Sequence, residues 1–249
     1  MIRFLSLFFF TAAIASADPA ALMKQGDAFD ADFKAQQALE CFLEVEKATP
    51  TNAALKVKIA RQYVFRMRDL SSKTAQIDSA QTGLRYAEEA VKLAPKFSDA
   101  HLSIAICLGK LTPLLGNKEM IEASQRIKTS AEKAVALDPK SDLAWHLLGR
   151  WHQGVAGLGG VTRALASMVY GRMPQGSNEE AIRCFQKALE INPQRLIHHV
   201  ELGRTYAQAG EADLARKFLK AGLAMQNQDF DDPETKQRGR AALSELGES

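Results

Sequence analysis

Four prolines close four similar amphipathic runs, and this recurrence constrains the chain more than any other feature. The runs are ALECFLEVEKATP ending at Pro50, LRYAEEAVKLAP at Pro95, SAEKAVALDP at Pro139 and AIRCFQKALEINP at Pro193. In each, apolar and small residues return every three or four positions, the pattern of a helix with one buried face. Proline cannot continue such a helix, so each run stops there. A single helix pair cannot bury its apolar face, and repeated pairs bury theirs by stacking.

The pattern resembles the tetratricopeptide repeat (TPR), a 34-residue helical hairpin. In that repeat a large residue at position 4, an apolar one at 7, a small one at 8 and a bulky one at 11 lie on the first helix. A small residue at 20, a bulky one at 24, a small one at 27 and proline at 32 lie on the second. Residues 19–52 fit with Leu22, Gly26, Phe29, Ala38, Phe42 and Pro50. The second repeat, 53–97, supplies Ile59, Ala60 and Tyr63, and the third, 98–141, supplies His101, Ile104, Ala105 and Leu108. The fourth, 142–195, supplies Trp145, Leu148, Gly149 and His152, and the fifth, 196–229, supplies His199, Leu202, Gly203, Tyr206, Ala215 and Leu219. The expected fold is all-α: a right-handed superhelix of TPR-type hairpins, closed by a capping helix over 233–246 with Asp232 as N-cap and Pro233 in its first turn.

The prolines lie 45, 44 and 54 residues apart, so the excesses over 34 are 11, 10 and 20. Both flanking patterns stay in phase, which puts the extra residues between paired helices, near 66–79, 109–123 and 154–178. The last insertion, Val161–Tyr170 followed by Gly171-Arg172-Met173-Pro174, fits about three turns of amphipathic helix. It is expected as an extra packed helix, or as a cover over the groove.

The first seventeen residues read as a cleavable signal peptide: Arg3, the apolar run Phe4–Ile14, then Ala15-Ser16-Ala17 before Asp18. That implies export, periplasmic or secreted, with no integral span after signal removal. The run is about half of the ~20 residues that a spanning helix needs. Cys41, Cys107 and Cys184 are odd in number, widely spaced and set in apolar helical patterns, so they read as small buried hydrophobes.

No catalytic pattern emerges. The five histidines form no metal-binding pair of the H-E-x-x-H kind, and no nucleophile motif occurs. Gly154–Gly160 follows a helix and lacks G-K-[ST], so it reads as a flexible exit and not a phosphate loop. The chain is expected to be a non-enzyme without metal or cofactor. With 32 basic against 29 acidic residues, no nucleic-acid partner is expected either.

In TPR architecture the first helices line a concave groove, through positions 2, 5, 9, 12 and 13. Position 9 carries Arg61, Arg150 and Arg204, and neighbouring positions carry Phe65, Leu102, His146 and Val200. These seven are the candidate binding residues. A guanidinium fork suits carboxylate or phosphate groups. The arginines therefore either receive an acidic, partly apolar partner or brace the solenoid by pairing with acids of neighbouring helices. Charge is also uneven: 19–52 carries 3 basic and 6 acidic residues, and 53–97 carries 9 and 4.

The order Leu148-Gly149-Arg150-Trp151, Val155-Ala156-Gly157-Leu158, Tyr170-Gly171-Arg172-Met173-Pro174 and Phe185-Gln186-Lys187-Ala188 resembles the regulator of microtubule dynamics family, a divergent TPR family. Arg61-Gln62-Tyr63 and Ala100–Ala105 fit its earlier repeats, and the resemblance runs from about residue 20 to 246. It implies an adaptor that holds a protein or peptide partner in its groove. The first alternative it implies is binding and transfer of an anionic phospholipid. The second is a cytoplasmic adaptor, in which case microtubules are the partner.

Overall fold

The computed structural model describes residues 18–170 and 175–247. The leader expected at 1–17 and Gly171–Pro174 of the Y-G-R-M-P segment lie outside them. Helices α1 (Pro19–Ala31) and α2 (Ala35–Ala48) make the first pair. The second is α3 (Ala53–Phe65) with α4 (Lys73–Leu93), and the third is α5 (Ser98–Leu111) with α6 (Asn117–Leu137). Helix α7 (Asp142–Ala156) is followed by α8 (Gly160–Tyr170) and then by its pairing partner α9 (Asn178–Ile191). The fifth pair is α10 (Leu196–Gln208) with α11 (Ala212–Ala224), and α12 (Asp232–Glu245) lies against both. No strand occurs among the described residues, and none of their helices is long and apolar enough to cross a membrane. The fold is an all-α TPR-like solenoid.

Local chemistry sets the helix starts. Asn52, Ser72, Ser141 and Ser177 each accept a backbone N–H from three residues ahead, from Leu55, Ala75, Ala144 and Glu180. Each such cap contributes about 1 kcal/mol. The first two insertions do not remain loops. Each makes a short 3-10 turn, Arg66–Asp69 or Thr112–Leu114, and then lengthens the second helix of its pair to 21 residues. The third forms α8, which rests on α6. That places it with the outer layer of second helices and not over the groove. The cap of α12 also differs from expectation by one residue, since Asp231 is the N-cap. Asp232 turns its carboxylate back, and its Oδ2 accepts the N–H groups of Gln228 and Asp229, both at 2.8 Å.

One packing rule recurs along the stack. A position-8 glycine meets a bulky position-24 side chain: Gly26 meets the Phe42 ring, Gly149 the Phe185 ring and Gly203 the Leu219 side chain. A Cβ at any of these glycines would come within 3.0 Å of that neighbour. Phe42, Phe185 and Leu219 are fully buried as a result. The first helices α3, α5, α7 and α10 touch in succession and form the inner row.

Candidate binding groove

The three position-9 arginines are all ion-paired. Arg61 on α3 pairs with Asp30 on α1, whose other oxygen accepts from Gln62 at 2.8 Å. Arg150 on α7 meets Glu201 on α10 at 2.5 Å, and Arg204 meets the same carboxylate at 2.6 Å. Arg238 of α12 approaches it at 3.3 Å. Glu201 is fully buried. Burial works against its charge, but the three guanidinium groups outweigh it and hold its carboxyl below the usual value.

Position 5 is consumed by packing. Leu102, His146 and Val200 are buried, so these three expected groove residues belong to the interior. The reason is stacking, which turns this position toward the unit that follows: Leu102 packs with Ala144 of α7, His146 meets His198 of α10, and Val200 lies against α12. Val200 is closed over by Gly222 and Gly239, and the His146 ring sits edge-on to Phe185. His146 Nδ1 lies 3.0 Å from His198 Nδ1, and His198 Nε2 lies 2.9 Å from the Asp142 carboxylate. The acceptor at Asp142 assigns the Nε2 proton to His198, so His146 donates from Nδ1. Arg195 completes the chain, 3.3 Å from Asp142.

Arg61 and Phe65 stand at a different place, where the C-terminal part of the chain reaches the first two pairs. The Phe230 ring stacks on Phe65 (centroids 4.2 Å apart, planes at 12°) and meets Phe33 edge-on at 6.1 Å. The Arg68 guanidinium covers it at 3.9 Å. On either side, Asp229 lies 3.3 Å from Arg195 and Asp231 accepts from Lys110 at 2.9 Å. Beside Phe230 is a cavity of about 280 Å³, lined by Phe33, Phe65, Arg61, Lys58, Asp27 and Asp30 among others.

The seven candidate residues are therefore not one site. Two line the cavity, two surround Glu201 and three are interior. Reading by repeat position missed Phe33, Lys110, Arg195 and the segment Asp229–Asp231. The available signal was a lone aromatic flanked by acids in the stretch 226–231, which is otherwise polar.

The L-G-R-W segment has a structural account. Gly149 admits Phe185, Arg150 holds Glu201, and Trp151 donates from Nε1 to the Ser124 carbonyl at 2.9 Å. The cysteines are buried and free, and burial pushes the Cys107 thiol to about 12 and the Cys184 thiol to about 11. Among the described residues no three His, Cys, Asp or Glu side chains are grouped to hold a metal.

The family model for regulator of microtubule dynamics protein 1-3 matches residues 22–247. Regulator of microtubule dynamics protein 1 of Mus musculus is 32% identical over 158 residues, 61% of this chain and 52% of the relative. Regulator of microtubule dynamics protein 3 of Xenopus laevis is 27% identical over 179 residues, 72% of this chain and 39% of the relative. The chain thus spans about half or less of the length of these curated relatives. Among solved structures, a thermophilic TPR protein of Thermus thermophilus aligns with a TM-score of 0.65 at 14% identity, over 91% of this chain and 99% of that one. That likeness concerns the fold alone. With its repeats, its L-G-R-W segment and the family match over 22–247, the chain belongs to the regulator of microtubule dynamics protein family.

Proposed function

We propose that the protein is a non-enzymatic scaffold that receives a protein or peptide partner on its inner row of first helices. The observation that carries this reading is the cavity at the α1–α3 end, where Phe33 and Phe65 stand beside Lys58 and Arg61. A part-exposed aromatic pair beside an arginine is the composition of interface anchors, and here the ion pairs Lys58–Asp27 and Arg61–Asp30 form the rim around the two rings. The volume of about 280 Å³ sits at the low end of the roughly 300–1,000 Å³ range of small-molecule sites. It suits a partner's side chain better than a diacyl lipid. A phospholipid carrier also lacks support from the groove arginines, whose charges are already met by Asp30 and Glu201.

The test compares two charge reversals. Lys58→Glu alters the cavity rim, and Lys47→Glu alters the outer end of α2. Partners captured by the wild-type chain from its native extract are quantified by mass spectrometry. The expected outcome is at least a tenfold loss of a specific partner with Lys58→Glu only, at unchanged helical content. Equal capture by all three proteins sinks the proposal.

A further inference from the structure

Three consecutive residues of the α11–α12 link sit on three cations from three separate parts of the stack. Asp229 meets Arg195 just ahead of α10, Phe230 lies under Arg68 in the turn after α3, and Asp231 meets Lys110 on α5. The Phe230 ring leaves its own helices and enters the aromatic cleft of the first two pairs, where it is only 8% exposed. We infer that this cleft is a docking site for an acidic peptide segment centred on an aromatic residue, and that Asp229-Phe230-Asp231 fills it in cis. The inference rests on the scaffold reading above and names the chemistry of its partner.

Two further observations support it independently. Phe33 holds a left-handed backbone at φ 60°. The equivalent turn of the fifth pair uses Gly210 at φ 84°, where no side chain is strained. Phe33 is nonetheless 41% exposed, so its ring contributes little to the core, and its aromatic contact is with Phe230. A bulky residue kept in a strained conformation is a pointer to function. Secondly, the segment does not fill the cleft. The cavity beside Phe230 leaves room for a larger ring or a second side chain of an incoming peptide. The built-in occupant also bears a desolvation cost, because burial pushes the Asp229 carboxyl up. A tethered occupant of this kind acts at an effective concentration on the order of millimolar, so an external peptide competes poorly until the tether is disarmed.

The probe is a dye-labelled heptapeptide, Gln-Asn-Gln-Asp-Phe-Asp-Asp, titrated with the full chain and followed by fluorescence anisotropy. Phe230→Ser is expected to bind it at least tenfold more tightly than the wild-type chain. A peptide with serine in place of its phenylalanine is expected not to bind. Adding Phe33→Gly to Phe230→Ser is expected to weaken binding at least tenfold without lowering the Tm, because glycine relaxes that turn. A second opened form, the double variant Asp229→Asn, Asp231→Asn, keeps the ring and is expected to bind with intermediate affinity. It decides the matter if Phe230→Ser loses its helical signal. Absence of peptide binding by the folded opened variants overturns the inference, and so does loss of fold in both, since the segment is then only a strut. If the peptide fails while Lys58→Glu still releases the native partner, the scaffold reading survives without this occupant. If both fail, both readings fall.

Discussion

A buried charge takes its role from what surrounds it, and Glu201 and Asp142 show this at the scale of single residues. Glu201 draws Arg150, Arg204 and Arg238 into one cluster, so the two position-9 arginines there brace α7, α10 and α12. Asp142 organises the histidine chain. Burial pushes His146 well below its ordinary 6.5, aided by the positive charge of Arg150 and by the cost of a second proton beside His198. Burial also lowers His198, against the pull of Asp142, and lowers His152. In the unfolded chain each takes up a proton near 6.5, whereas in the fold each stays neutral to lower pH. Stability is therefore complete above about pH 6.5 and declines as pH falls through that value toward the folded pKa values. Burial opposes the ionised form of Asp142, but the His198 hydrogen bond and Arg195 outweigh it, so its own contribution is lost only at more acid pH. Thermal scans from pH 7.5 to pH 5 should show a falling Tm, and His146→Gln should flatten the slope. A Tm that is level across this range in the wild-type chain contradicts the assignment of neutral buried histidines.

At the scale of elements, the uneven charge of the first two repeats acts as a staple between helix pairs. Asp27 and Asp30 of α1 meet Lys58 and Arg61 of α3, and Glu46 of α2 meets Lys56. The excess of acid in one repeat and base in the next thus fixes the order of the pairs more than it advertises an acidic partner. The position-8 glycines set how closely paired helices approach. Gly149→Ala would drive a Cβ to 2.9 Å from the Phe185 ring, and overpacking of this kind costs about 1–3 kcal/mol. Gly109→Ala on α5 meets nothing within 4 Å and should gain up to about 1 kcal/mol from helix propensity. Urea denaturation of the two variants should move their midpoints in opposite directions. The helices were readable because a 3.6-residue apolar period and helix-stopping prolines leave a mark in every window of sequence. The fate of position 5 was not, because whether Val200 faces a groove or a neighbour depends on how far one pair turns against the next. Nor was the partner of Arg61, since any of several nearby acids fits the same charge pattern. The Phe230 contact left the faintest trace, because a link has no period and its partners, Phe33 and Phe65, are remote in sequence.

At the scale of the whole molecule, the link between α11 and α12 breaks the rule that a solenoid's repeats touch only their neighbours. Arg195, Lys110, Arg68 and Phe33 bring the junction ahead of α10 and the third, second and first pairs to one three-residue segment. Such closure couples units that would otherwise unfold by nearest-neighbour steps. The wild-type chain should therefore unfold in urea in one transition, seen alike by helical signal and by tryptophan fluorescence. Phe230→Ser should separate the two probes or lower the m-value, and superimposable curves with an unchanged m-value count against the coupling. The same closure has a mechanical side. Pulled at its ends, an open solenoid lengthens by small rotations at every interface. This one must first draw a phenylalanine out from between two others, so tension acts on the same three residues as a competing peptide, and a partner that tugs on the chain would open the cleft as it does so.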